Sequence, residues 1–173
     1  MWSSVNKLMI GLTFCVCFVQ MGYWYDRLPD PMPSHFDETG QVDGQMGKTY
    51  FFVFMGTIQT VFLFGIPALG TLVKRLPDSV LNIPNKKYWL DPQRRAETLS
   101  VNVDVLSTIG LMTSWLLIAI FHLTVLVAIK RRETINPDFY WILGVYLVGV
   151  TAVAVGLMLK FRLPVSETKV QVH

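Results

Sequence analysis

Four blocks of almost unbroken apolar residues constrain this chain more than any other feature of it. They run from Leu8 to Tyr25 (LMIGLTFCVCFVQMGYWY), Tyr50 to Val73 (YFFVFMGTIQTVFLFGIPALGTLV), Val105 to Ile129 (VLSTIGLMTSWLLIAIFHLTVLVAI) and Tyr140 to Leu159 (YWILGVYLVGVTAVAVGLML). A membrane span needs roughly 20 predominantly apolar residues to cross about 30 Å of hydrocarbon, and each block has about that length. Backbone in lipid must satisfy its own hydrogen bonds, which blocks this long and continuous do as helices rather than as barrel strands. The charged fraction agrees, at 16% against about 25% for an ordinary soluble domain. The expected fold is all-α, a polytopic membrane four-helix bundle forming a single domain over residues 1–173, with spans at about 8–25, 50–73, 105–129 and 140–159. A short extracytoplasmic hairpin loop and a basic cytoplasmic loop complete it.

The first block follows Lys7 and has the length of a secretory signal. Its exit, GYWYDRLP, offers no small-residue cleavage site and carries the aromatic cluster of an interfacial anchor, so it is read as a retained helix. Cys15 and Cys17 within it are two apart, point away from each other on a helix, and serve as small apolar side chains.

Orientation follows from where Arg and Lys accumulate beside the spans. With the N-terminus inside, the inner side carries Lys7, Lys74, Arg75, Lys86, Lys87, Arg94, Arg95, Lys160, Arg162 and Lys169; the outer side carries Arg27, Lys48, Lys130, Arg131 and Arg132. The balance favours both termini in the cytoplasm of a cell (inner) membrane, with the 130–132 cluster dissenting. The net charge of +3 is a topology signal, and no nucleic-acid partner is expected.

The first loop, LPDPMPSHFDETGQVDGQMGK, places proline at 29, 31 and 33. Each fixes a backbone angle and biases its predecessor toward extended structure, so a stiff riser leading away from the first span is expected. Turn chemistry follows: Gly40 after Asp37, Glu38 and Thr39, then Asp43-Gly44. A hairpin pairing His35 and Phe36 with Gln41 and Val42 is expected, Phe36 and Val42 supplying its apolar face. His35, Asp37 and Asp43 are weak candidate metal ligands, because imidazole and carboxylates can hold zinc or similar ions. Their spacing matches neither HExxH nor a calcium loop, and a hairpin whose polar side chains close their own turns is the favoured reading. No cofactor is expected.

The second loop, from Lys74 to Asp104, is basic. NIPNKKYWLDPQRRAETL has a turn at Asn82 to Asn85, an interfacial pair in Tyr88 and Trp89, and a helix start at Asp91-Pro92. A helix unbroken from there to Ile129 is longer than a bilayer is thick, so its first turns protrude or bend along the surface. Lys86, Lys87, Arg94 and Arg95 read as headgroup contacts and topology determinants, with a bound anionic substrate as the alternative.

Within the spans, Gln59 and His122 fall at similar depth and are expected to face the bundle, either hydrogen-bonded to each other or with His122 handling protons. Pro67 deletes one helical hydrogen bond and should kink the second span near its inner third. Gly149, Ala152 and Gly156 form a small-residue stripe suited to close helix packing. Nothing resembles a nucleophile triad, a glycine-rich phosphate loop or a haem pair.

Together, the two loops resemble the signatures of a family of small bacterial membrane proteins known only as a domain of unknown function. The first carries Leu28, Pro29, Pro33, His35, Phe36, Gly40, Asp43, Gly44 and Lys48; the second carries Asn82, Ile83, Pro84, Asn85, Tyr88, Trp89, Leu90, Pro92 and Arg95. That domain is similar to the N-terminal part of SdpI-type proteins, which give immunity to a secreted killing peptide and relay a signal to a membrane-sequestered repressor. The resemblance covers about residues 20–130 and carries over signature positions without a catalytic role.

The expected function is non-enzymatic: recognition or assembly in the membrane as an accessory subunit, sensor or immunity-type protein. Candidate binding residues are His35, Phe36, Asp37, Asp43, Lys48, Trp89, Arg94 and Arg95. The expected partners are membrane lipids and a protein partner or membrane complex. The alternative is a membrane enzyme or transporter using the outer His/Asp cluster or the intramembrane His122.

Overall fold

The computed structural model describes residues 4–162. Four of its helices are long and apolar enough to cross a membrane: α1 (Ser4–Tyr25), α2 (Lys48–Val73), α4 (Arg95–Ala128) and α5 (Asp138–Lys160). Each coincides, to within a residue or a few added turns, with one of the four apolar blocks. A two-stranded antiparallel hairpin, β1 (Met32–Phe36) and β2 (Val42–Met46), joins α1 to α2. The loop from α2 to α4 contains a 3-10 turn at Asp78–Val80 and the short helix α3 (Lys86–Trp89). The hairpin and the α4–α5 turn share one end of the molecule, and the α2–α4 loop lies at the other, basic end.

The packing is organised around α4, against which α1, α2 and α5 all lie. Near the hairpin, Cys17 and Met21 of α1, Phe51, Phe52 and Met55 of α2, and Ile118, Phe121 and Val125 of α4 form one buried cluster. In mid-span, Ser107, Gly110 and Ser114 lie three and four residues apart, so they share a face of α4. That small-residue face lets α2 approach closely, as is usual where packing rather than water drives helix association. A Cβ added to Gly110 would stand 2.6 Å from the carbonyl oxygen of Phe62, and one added to Gly70 would stand 3.2 Å from the Cα of Val103.

Proline 67 shapes α2 in a specific way. Residues Val61–Gly65 form a π-helical segment in which the Ile66 N–H bonds to the Val61 carbonyl, five residues back. Pro67 has no N–H, so the turn before it cannot close normally, and the widened turn absorbs the mismatch. Pro67 itself is fully buried. The carbonyl of Phe62, which Pro67 cannot serve at the π spacing, is the one packed against Gly110.

The proline-rich stretch is not a riser. Leu28 is 4% exposed and Met32 fully buried, both in the cluster below the hairpin. These two apolar side chains, four residues apart, bring the backbone down onto the helix ends. Between them the Asp30 carboxylate accepts the Lys48 N–H at 3.0 Å, occupying one of the free donors at the start of α2.

The start of α4 also differs from expectation. Asp91 accepts the Gln93 N–H through Oδ1 and the Arg94 and Arg95 N–H groups through its carbonyl. Asp91-Pro92 therefore makes a turn that leads into the helix, which begins at Arg95.

Candidate functional site

The two polar loops converge on the same element, α5, from opposite ends. At the basic end, Asn85 sits in the left-handed region at φ 54°, which turns its side chain toward the last turn of α5. Its amide donates to the carbonyl of Phe161 at 2.8 Å, and the indole N–H of Trp89 donates to the same oxygen at 2.9 Å. A terminal helical carbonyl that has no partner within its helix thus receives two. Beneath it Leu81, Ile83, Leu90, Leu99 and Phe161 are buried together. Thr98 ties the loop to α4 by donating to the Trp89 carbonyl at 2.8 Å.

At the other end, Asp37 closes the hairpin tip. Its Oδ1 accepts from the Thr39 N–H, the Thr39 hydroxyl and the Gln41 N–H at 2.8, 2.7 and 3.0 Å. These bonds, that from the Thr39 hydroxyl first and the Gln41 N–H next, hold its carboxyl below the ordinary value. The tip then docks on the α4–α5 turn: the Ile135 N–H donates to the Gly40 carbonyl at 3.1 Å, and the Tyr140 hydroxyl donates to the Glu38 carbonyl at 3.1 Å. Phe36 and Val42 pack on the buried cluster of Leu123, Val127 and Ile135. Gly40, at φ 81°, lies so close that an added Cβ would meet the Asn136 side chain at 2.7 Å.

Between these two clamps α5 has no buried residue. It touches α4 through the Tyr146 hydroxyl, 3.0 Å from that of Thr113, and through Gly149, where a Cβ would stand 2.4 Å from Met112 Cε. Gly156 has nothing within 4 Å of such a Cβ, so only part of the small-residue stripe is used. A groove of about 350 Å³ lies among α1, α4 and α5, walled by residues that include Met9, Met112, Trp115, Val145 and Tyr146. The wall is almost wholly apolar.

The proposed binding residues divide accordingly. His35 and Asp43 meet across the strands, Nδ1 to Oδ1 at 2.5 Å, and both are substantially exposed. Asp37 is not with them, since its carboxylate is taken up in the turn. Among the described residues no group of three or more His, Cys, Asp and Glu side chains stands together in metal-binding fashion. Lys48 donates to the Leu28 carbonyl at 3.2 Å and lies over the Tyr25 ring. Arg94 stacks on Tyr88, 3.9 Å from the ring centre, and donates to the Tyr88 carbonyl. Arg95 donates to Asp78 Oδ1 at 2.9 Å and to the Leu76 carbonyl at 3.0 Å. Phe36, Asp37, Lys48, Trp89, Arg94 and Arg95 therefore all hold loops in place.

Gln59 and His122 are not brought together. Gln59 is buried, and its amide donates to the Ser114 carbonyl at 3.4 Å, whereas His122 faces outward. Equal depth does not imply a shared face, because rotation about each helix axis is set by packing. The groove residues Met9, Trp115, Val145 and Tyr146 were not singled out by sequence reasoning. Nothing in the residue order sets them apart from the other members of the spanning blocks.

Residues 12–60 match the model of a family described as a domain of unknown function (DUF1648), over most of α1, the hairpin and α2 as far as Thr60. The match ends before the second loop and α5. No curated protein matches the chain, and no solved structure does.

Proposed function

We propose that this chain is a non-enzymatic integral membrane protein that works by recognition or assembly, as an accessory subunit, a sensor or an immunity-type protein. The observation that carries this reading is how α5 is held: hydrogen-bonded to a loop at each end, yet buried nowhere along its length. End clamps of this kind position a helix without covering it. They keep open an apolar groove against α1 and α4, into which a hydrophobic segment of a partner membrane protein fits by side-chain packing. The resemblance of both loops to those of a family whose domain is similar to the N-terminal part of the SdpI-type proteins supports an immunity or sensing role.

The charge distribution supports placing the basic loop and both termini on the cytoplasmic side of a cell membrane, and the hairpin on the other. Of the cations behind that assignment, Lys169 lies outside the described residues.

The test is the mass of the native particle in mild detergent, compared with the 19.7 kDa chain. A stoichiometric complex is expected, and Val145→Trp, which fills the groove, should release the chain from it. Leu147→Trp, two residues along α5 and outside the groove wall, should leave it intact. A chain that purifies alone from native membranes, or a complex indifferent to Val145→Trp, overturns the proposal.

A further inference from the structure

We propose that the concavity between the end of α2 and the first turns of α4 seats the phosphodiester headgroup of an anionic phospholipid. It measures about 530 Å³, and Lys74, Arg95, Glu97, Leu99 and Ser100 line it. Its depth suits a headgroup: the 26 residues of α2 extend about 39 Å, more than the roughly 30 Å of hydrocarbon. Lys74, immediately beyond Val73, therefore stands at the level of the phosphates.

The chemistry of the wall suits an anion attached to an apolar tail. Arg95 is set in place by Asp78 and the Leu76 carbonyl, which engage two of its five N–H groups and leave the others for a phosphate. Lys74 forms no ion pair among the described residues. Ser100 adds a hydroxyl donor, and the exposed Ala96, beside the edge of the buried Leu99, gives the small apolar part of the wall. Two acids oppose the anion. Asp78 is engaged by Arg95, and Glu97 lies 4.0 Å from the Lys160 ammonium, which offsets it. Arg75, Lys86, Lys87 and Arg94 raise the potential of the same end.

The full chain, placed in nanodiscs of phosphatidylcholine with or without phosphatidylglycerol, tests this by the lipid it retains on release into detergent. Preferential retention of phosphatidylglycerol is expected, falling about fivefold in Lys74→Gln and less in Ser100→Ala. Arg131→Gln, exposed at the opposite end of the molecule, should match the native chain. Circular dichroism of each variant shows that the helices remain. Equal retention of both lipids overturns the proposal, as does a Lys74→Gln variant that retains phosphatidylglycerol like the native chain. So does displacement of the lipid by millimolar inorganic phosphate, which would make the seat one for free anions.

Discussion

The indole N–H of Trp89 donates to the carbonyl oxygen of Phe161 at 2.9 Å, joining residues 72 positions apart. A loop that reads as a basic interfacial segment is thus also the cap on the last turn of α5. Trp89→Phe keeps a ring against Phe161 and removes the donor, so a loss of about 1 kcal/mol is expected. Adding Asn85→Gly, which keeps the left-handed backbone at φ 54° without strain, deprives the same oxygen of its second donor. Thermal unfolding in detergent should show a lower midpoint for the single variant and a further fall for the double. A double variant as stable as the native chain would mean that this clamp holds nothing.

Gly110 and Gly156 make opposite predictions although both are glycines in spanning helices. At Gly110 a methyl group would stand 2.6 Å from the Phe62 carbonyl oxygen, whereas at Gly156 it would meet nothing. Gly110→Ala should cost about 1–3 kcal/mol, the usual range for overpacking. Gly156→Ala should be neutral or slightly stabilising, because alanine has the better helix propensity. Equal unfolding midpoints for the two would contradict the close approach of α2 and α4.

Gly40→Ala puts a side chain at φ 81° and against Asn136. A penalty of about 1–2 kcal/mol follows from the backbone alone. The hairpin tip should then leave the α4–α5 turn, and trypsin should cut faster at Lys130, Arg131 and Arg132. Asn136→Ala added to it relieves the contact but not the backbone strain, so cleavage should remain faster than in the native chain.

Asp37 sets a pH dependence on the hairpin. Its carboxyl is held below the ordinary 3.8 by the Thr39 hydroxyl and then by the Gln41 N–H. A folded value below the unfolded one contributes stability that is fully present above the unfolded value and is lost as pH falls through the folded one. Docking of the tip should thus persist down to about pH 4 and weaken below it. Thr39→Ala should raise the Asp37 midpoint, measured by carbon NMR of the side-chain carboxyl; an unchanged midpoint would remove the hydroxyl as its chief cause.

Gln59→Leu should cost on the order of 0.6–2 kcal/mol, the scale of a hydrogen bond between spanning helices, since its amide donates to Ser114. His122→Ala should cost nothing comparable, because His122 faces away. Their effects should add. A coupling between them in unfolding measurements would show that the two side chains do meet.

Some of this was legible in the residue order. The four spans were, since a spanning helix is specified by a local quantity, about twenty apolar residues in a row. The turn at the hairpin tip was also local, because Asp37 and Gly40 act within five residues of each other, whereas Asp43-Gly44, expected as a second turn, lies within β2 and pairs with β1. Other features were less accessible. LPDPMP reads as a riser when its prolines are counted, but Leu28 and Met32 find a buried cluster that exists only once α1, α2 and α4 have met. Pro67 reads as a kink in α2, but the form its effect takes, a π segment against Gly110, depends on the helix beside it.

The residue order settles which segments are long and apolar enough to enter the hydrocarbon, because the cost of burying polar backbone and charge in lipid arises segment by segment. It does not settle how the helices turn toward one another. In lipid, any apolar face can be exposed, so apolar pattern carries little information about which side is inside. Long-range packing and hydrogen bonds made that choice: α4 became the centre, His122 was turned out, and Asn85, Trp89, Glu38 and Gly40 were brought to the ends of α5.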